Sequence, residues 1–252
     1  MGILFIIYGL VIGSFLNVVI YRVPAGLSIV KPPSHCGKCG TRIRSKHLVP
    51  VFSYVFLKGR CASCGDRISV RYPLVESLNA LLYLLVYLKF GMGIEAVLLS
   101  LFSSVMLVVA LIDFDTMDVY ISTVIPGAVL GVLIVMMRFF GGESILPDVL
   151  TSLAGMGLIF LIILVTGGGM GVGDIWILGL IGLVLGPLGT ILSFFLTSII
   201  GGAVAVTVMI TGRKKAKEGI PFGPLLILGF FLSLFWGNDL MGLYLSLFNI
   251  HI

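Results

Sequence analysis

Residues 93–113 read GIEAVLLSLFSSVMLVVALID, an apolar run of twenty residues that ends at an aspartate. A helix that crosses the bilayer needs about 20 mostly apolar residues, so this stretch predicts a transmembrane helix with Asp113 at its end. Comparable apolar runs occur at 2–21, 74–90, 120–138, 147–166, 175–191, 193–212 and 222–248. Only 11% of the residues are charged, against about 25% in a typical soluble domain. The sequence therefore excludes a soluble globule and a disordered chain, and predicts an all-α polytopic membrane protein with about eight transmembrane helices.

The basic residues are concentrated in two places. The segment 22–71 holds ten of the sixteen Lys/Arg residues and one acid, Asp66. A second group consists of Arg213, Lys214, Lys215 and Lys217. Because cytoplasmic loops carry an excess of Lys and Arg, we predict both groups on the cytoplasmic side, with only Lys89 and Arg138 outside. This topology accounts for the net charge of +5 without a nucleic-acid partner.

The segment 23–73 differs in kind from the rest of the chain. It is polar and basic, contains several prolines and holds all four cysteines. We therefore predict a first transmembrane helix at 1–22, a cytoplasmic cysteine domain at 23–73 and a membrane-embedded core at 74–252. The small domain is predicted to lie between transmembrane helices 1 and 2.

The cysteines form two C-x-x-C pairs, Cys36/Cys39 and Cys61/Cys64, each followed by a glycine. A C-x-x-C turn presents two thiolates to one side of a metal ion, and two such turns complete the tetrahedron that zinc prefers. Two disulfides or four free thiols are the alternatives, although disulfides are rare in the cytosol. We predict a structural zinc site, because four protein ligands leave no open position for chemistry. His35 and His47 are possible substitute ligands, but the simpler interpretation is that both are solvated loop residues.

Acidic residues in or beside a transmembrane helix are costly, so each is a functional candidate. Asp113 ends the third apolar run, and Asp174 follows a glycine-rich segment at 167–173. In the predicted topology both acids reach the same cytoplasmic edge, whereas Asp115 and Asp118 are expected to be solvated. Gly171 and Gly173 leave room for an extended substrate backbone.

Two neighbouring carboxylates share one proton, so one can take a proton from water while the other polarises a peptide carbonyl. This chemistry predicts a catalytic aspartate pair. An ion- or proton-coupled transporter that uses the same aspartates is the alternative, and a scaffold protein whose cysteine domain binds partners is another. The spacing of the acids leaves these readings open.

The segment Gly171-Val-Gly-Asp174 matches the G-x-G-D motif of membrane aspartyl proteases, and the chain resembles the type IV prepilin peptidases (leader peptidase/N-methyltransferase family). The resemblance also rests on the segments 13–24, 71–76, 111–113 and 221–224, in that order, and on the paired C-x-x-C motifs. It therefore covers nearly the whole chain.

The resemblance implies an enzyme of the bacterial cytoplasmic (inner) membrane that cleaves the leader of prepilins and pseudopilins after a glycine, at the cytoplasmic face. Asp113 and Asp174 stand at the family's two catalytic positions. Many members also methylate the new N-terminus with S-adenosylmethionine, although the chain has no Rossmann fingerprint for that cofactor. The implied partners are these substrates and membrane lipid.

The chain departs from the family pattern in two places. The stretch 119–121, with Tyr120 and Ile121, stands where relatives have a Pro-Asp pair, and Trp176 stands where they commonly have a lysine. Both aspartates are retained, so the resemblance still implies a protease.

Overall fold

The structure is a computed structural model that describes residues 1–211 and 221–247. The basic group at 213–217 lies outside the described residues. The α-helices, in chain order, are α1 (Gly2–Arg22), α2 (Phe52–Phe56), α3 (Arg71–Phe90), α4 (Ile94–Thr116), α5 (Ile121–Phe140), α6 (Leu146–Thr166), α7 (Val172–Thr211) and α8 (Gly223–Leu247). Of the helices described, all but α2 are long and apolar enough to cross a membrane, which makes seven candidate spans. The predicted all-α polytopic membrane fold is therefore confirmed.

The chain divides into two compact units, Met1–Val108 and Val109–Ile252. This division is based on which residues pack together, whereas the predicted boundaries at 22/23 and 73/74 were placed where the sequence changes from apolar to polar. The structure does not test those boundaries, so they stay a prediction. The cysteine segment does lie between α1 and α3, the first two long helices.

In the first unit, α1 packs against α3 through two glycines. A Cβ on Gly9 would lie 2.6 Å from Ala80 Cα, and one on Gly13 would lie 2.8 Å from Glu76 Cα. Small residues four apart allow transmembrane helices to approach this closely. Asn79, fully buried, donates to the Gly9 carbonyl at 2.8 Å. The same side chain accepts from Ser104 Oγ of α4 at 2.8 Å, so a polar network fastens the three helices together.

Helix α7 is folded back on itself at Gly186, whose φ of 64° and ψ of −169° are not helical, and Pro187 follows. A Cβ on Gly223 would lie 2.8 Å from Ile177 Cδ1, and one on Gly201 would lie 3.4 Å from Leu225 Cδ1. Residues 177 and 201 therefore both adjoin the first turn of α8, although a straight helix would separate them by about 36 Å. The two arms of α7 correspond to the predicted apolar runs 175–191 and 193–212.

An ion pair lies beside this reversal. Arg138 Nη1 donates to the Val184 carbonyl at 2.9 Å and lies 3.7 Å from Asp148 Oδ2. A Cβ on Gly186 would lie 2.8 Å from Asp148 Oδ1. Because Asp174 begins the same arm about 18 Å away by helical rise, Arg138 and Asp174 mark opposite ends of the second unit.

Candidate aspartate site and metal centre

Asp113 lies in the last turn of α4 and is 6% exposed. Gly223, the first residue of α8, packs directly against its carboxylate, because a Cβ on Gly223 would overlap Asp113 Oδ2. The missing side chain at Gly223 is thus what accommodates the buried acid.

Asp174 lies in the first turn of α7 and is 4% exposed. The Gly171 N–H donates to Asp174 Oδ2 at 3.1 Å, and the Asp174 N–H donates to the Gly171 carbonyl at 3.1 Å. A side chain that reaches back to the residue before the helix is half of a capping box. The helix start itself therefore orients the Asp174 carboxylate.

The two glycines of the G-x-G-D motif have different surroundings. Gly171 is exposed, and a Cβ there would make only an ordinary contact, 3.5 Å from Asp174 Oδ2. A Cβ on Gly173 would instead overlap the side chain of Val119, which precedes α5. Gly173 is thus required by packing between chain segments; a role for either glycine in substrate approach stays a prediction.

The structure brings Asp113 and Asp174 to the same end of the second unit. Gly223 touches both the Asp113 carboxylate and Ile177, which lies about one turn beyond Asp174. The two carboxylates are near enough for their negative charges to repel each other. Repulsion between two buried acids favours a state in which only one of them is ionised.

The acids near Asp113, and the residues at which the sequence differs from the family pattern, are exposed or half-buried. Asp115 and Asp118 are exposed, as expected, although Asp118 interacts electrostatically with Asp113. Trp176 is 41% exposed on the first arm of α7. Ile121 begins α5 directly after Tyr120, so these two residues form the start of a helix.

Two site residues were given no role from the sequence. Gly223 lies inside the quoted segment 221–224, but nothing in that pattern says that it faces Asp113. Val119 carries no signal at all, because its contact with Gly173 joins positions 54 residues apart. Both contacts could be found only from the folded chain.

The four cysteines form a compact cluster in the first unit. The Sγ atoms of Cys36, Cys39, Cys61 and Cys64 all lie within 4.8 Å of one another, and those of Cys36 and Cys64 are 3.9 Å apart. A tetrahedral site with metal–sulfur bonds of about 2.3 Å requires sulfur atoms about 3.8 Å apart. The cluster therefore fits a metal ion held by four thiolates. Within residues 1–211 and 221–247, these four cysteines are the one cluster of side chains placed to bind a metal ion. His35, the possible substitute ligand, contacts the Pro33 carbonyl through Nδ1 at 3.0 Å.

The two C-x-x-C turns share one backbone geometry. In each, the glycine after the second cysteine donates its N–H to the carbonyl of the first cysteine at 2.9 Å. These glycines, Gly40 and Gly65, have φ values of +67° and +74°. Because this region strongly favours glycine, the turn geometry explains why a glycine follows each pair.

Hydrogen bonds set the electrostatics of the cluster. Lys38 Nζ bonds Asp66 Oδ1 at 3.0 Å, which ties the two turns together and raises the pKa of Lys38. The hydrogen bond with the Thr41 hydroxyl, together with its backbone, lowers the pKa of Cys39 to about 6. A lower pKa favours the Cys39 thiolate, the form that binds metals.

Comparison with known proteins places the chain in a family. Residues 7–90 match the model of the bacterial peptidase A24 N-terminal domain, and residues 100–206 match that of the type IV leader peptidase family. A prepilin leader peptidase/N-methyltransferase of Pseudomonas putida is 36% identical over 93% of this chain and 90% of its own length. The protein of the same name from Bacillus subtilis is 32% identical over 98% of each chain.

A third protein of that name, from Myxococcus xanthus, is 42% identical over 50% of this chain and 38% of its own length. No solved structure matches significantly. Two consecutive family models and near-full-length relatives agree with the order of motifs along the sequence. The chain belongs to the type IV prepilin leader peptidase/N-methyltransferase family.

Proposed function

We propose that this protein is a membrane aspartic endopeptidase that removes the leader of type IV prepilins and pseudopilins, cutting after a glycine. The observation that carries the proposal is the pair of buried acids, Asp113 and Asp174, at one end of the second unit. Family membership supplies the substrate class, because the relatives are named prepilin leader peptidases.

In the proposed mechanism, the ionised member of the pair accepts a proton from water while the protonated member donates a hydrogen bond to the scissile carbonyl. The water oxygen bonds the carbonyl carbon to give a tetrahedral intermediate. Its collapse breaks the C–N bond, and the proton taken from water passes to the leaving amine. Burial of Asp113 and Asp174 supports this mechanism, because charge–charge interactions are stronger away from water.

We further propose that the new N-terminal amine is methylated with S-adenosylmethionine as the methyl donor, which the relatives' names support. The metal at Cys36, Cys39, Cys61 and Cys64 is proposed to be zinc. Zinc there would staple two short turns that have little apolar core, a structural role. The concentration of Lys/Arg in 22–71 supports a multi-pass protein of the bacterial inner membrane with this segment in the cytoplasm.

The transporter alternative predicts charged side chains near the bilayer midplane. Asp113 is instead in the last turn of α4, and Asp174 in the first turn of α7. Acids at helix ends favour chemistry at a membrane surface, so the endopeptidase is the better supported function.

The test is cleavage of a purified prepilin by the purified protein, followed by size and by the mass of the new N-terminus. Asp113→Asn and Asp174→Asn keep the shape of each side chain but remove its ionisation, and each is expected to slow cleavage by about 10²–10⁴-fold. Asp115→Asn is the matched control, since Asp115 is an exposed acid of the same turn. Cleavage at the parent rate by either active-site variant would refute the mechanism.

The methyltransferase proposal is tested in the same reaction. With S-adenosylmethionine added, the new N-terminus is expected to gain the mass of one methyl group. A product that is cut but not methylated would contradict this second activity while leaving the peptidase intact.

A further inference from the structure

Helix α2 exposes an apolar surface that its surroundings do not explain. Phe52, Val55 and Phe56 are 57%, 64% and 82% exposed, although α2 is too short to span a membrane and belongs to the polar segment 23–73. We propose that α2 inserts into the acyl-chain region of the adjacent membrane leaflet, so that lipid covers this surface and anchors the cysteine domain. The proposal goes beyond the peptidase function and does not depend on it.

The position of α2 along the first unit supports lipid as the occupant. The Val51 N–H donates to Glu76 Oε2 at 2.7 Å, and Glu76 lies about 7.5 Å along α3 from Arg71 by helical rise. Val51 and Phe52 then line a groove of about 290 Å³ that extends along α3 to Leu84, about 20 Å from Arg71. The chain immediately before α2 therefore lies beside a part of α3 that the membrane surrounds.

The other wall of the groove extends to the depth of Leu84, beyond the Val51–Glu76 contact. It includes Leu10 of α1, which lies about 18 Å from Arg22, the last residue of that helix. Membrane-inserted amphipathic segments lie about 5–10 Å below the headgroups. The Val51–Glu76 contact, about 7.5 Å along α3 from Arg71, lies within that range, and the groove continues deeper.

A strained turn holds α2 in this place. Val51 has φ 60° and ψ −52°, and the Phe52 N–H donates to the Pro50 carbonyl at 2.6 Å, which closes a three-residue γ-turn. A β-branched residue is rarely found with positive φ, so surrounding contacts must fix the turn. The buried Glu76 carboxylate, bonded to the Val51 N–H, supplies that contact. Glu76 is therefore a positioning residue for α2.

The charges around α2 suit an anionic membrane surface. Lys58 and Arg60 follow the helix, and Lys46 is joined to it because Ser53 Oγ donates to the Lys46 carbonyl at 3.1 Å. Basic side chains next to inserted apolar residues reach back to anionic lipid headgroups.

Helix α2 is also fastened to the second C-x-x-C turn. The Tyr54 hydroxyl donates to the Ile68 carbonyl at 3.4 Å, and the Ile68 N–H donates to the Gly59 carbonyl at 2.8 Å. Insertion of α2 would thus hold the turn that carries Cys61 and Cys64 at the membrane surface.

The first experiment uses the unaltered protein in nanodiscs that contain a phospholipid with a photoreactive diazirine on its acyl chain. Trypsin cutting after Lys46 and Lys58 releases the peptide 47–58, which contains α2, and cutting after Arg60 and Arg67 releases 61–67 as an internal control. Lipid adducts are expected in 47–58 and not in 61–67. Equal labelling of the two peptides would overturn the proposal.

The second experiment places a tryptophan at the surface in a background in which both native tryptophans are replaced by phenylalanine. In bilayers with bromine on the acyl chains, Phe56→Trp is expected to lose roughly half of its emission, and the matched control Arg42→Trp, on the first cysteine turn, to lose little. If the emission of the Phe56→Trp protein is quenched by aqueous acrylamide and not by brominated lipid, the proposal is overturned. Protection from both quenchers would indicate a protein partner and would overturn it too.

The role of Glu76 is tested in the same fluorescence assay. Glu76→Gln keeps an acceptor for the Val51 N–H and is expected to preserve quenching in the Phe56→Trp protein, whereas Glu76→Leu is expected to reduce it. If Glu76→Leu leaves quenching unchanged, Glu76 does not position α2. Because this readout is independent of prepilin cleavage, its failure is distinguishable from failure of the proposed function.

Discussion

Replacing Gly223 by alanine adds one methyl group where the structure has no room for it. The new Cβ would overlap Asp113 Oδ2 and lie 2.8 Å from Ile177 Cδ1. Gly223 is the first residue of α8, so alanine gains little of the preference that it has over glycine inside a helix. The Asp113 carboxylate or the start of α8 must therefore shift to relieve the overlap.

The expected cost can be stated for both stability and rate. Inserting a methyl group into a packed site costs about 1–3 kcal/mol. Displacing a catalytic group by about 1 Å can lower the rate by about 10²-fold. We therefore expect Gly223→Ala to lose about 1–3 kcal/mol of stability and to cleave prepilin about a hundredfold more slowly.

The assay compares initial cleavage rates and thermal unfolding of purified proteins. Gly242→Ala is the matched control, because Gly242 also lies in α8 and a Cβ there would have nothing within 4 Å. A Gly223→Ala protein that cleaves at the rate of the Gly242→Ala protein would refute the assignment of Gly223 as the residue that makes room for Asp113.

Three further changes test other parts of the structure. Cys64→Ser should abolish stoichiometric zinc binding in the purified protein, measured by metal analysis, and zinc content equal to the parent's would contradict a four-cysteine site. Asn79→Leu should lower stability by about 1–3 kcal/mol, because it leaves the buried Ser104 hydroxyl without one of its partners; an unchanged unfolding midpoint would argue against the network. Arg138→Met should destabilise by about 1 kcal/mol, since Arg138 and Asp148 are half-buried and water partly screens their ion pair, and Asp148→Asn in the same protein should restore part of the loss.

The features that the sequence predicted correctly depend on neighbouring residues. The run 93–112 became α4, Ile94–Thr116, because twenty apolar residues are enough to specify a spanning helix. The cysteine cluster followed from two C-x-x-C turns, each of which fixes its own geometry through a glycine. The family resemblance, confirmed by the comparisons, rested on short motifs in a fixed order.

The features that the sequence did not predict depend on contacts between distant positions. The overlap that explains Gly173 involves Val119, and the room for Asp113 comes from Gly223, more than one hundred residues later. The γ-turn at Val51 gives a β-branched residue a positive φ, which such residues rarely adopt. The turn depends on the hydrogen bond from Val51 to Glu76 of another helix. A sequence pattern with period 3.6 or a short motif contains no information on such partners.

The reversal of α7 is the feature on which the aspartate site most depends. The sequence predicted two separate apolar runs with a boundary near 191–193, but the break lies at Gly186, where a positive φ precedes proline. Because the second arm returns alongside the first, Gly201 of the second arm and Ile177 of the first both adjoin the first turn of α8. That placement is what puts Gly223 against Asp113 and Ile177 at once. In a straight α7, residue 201, which adjoins the start of α8, would lie about 36 Å from Ile177. The glycine at the turn therefore determines which residues can meet at the aspartates.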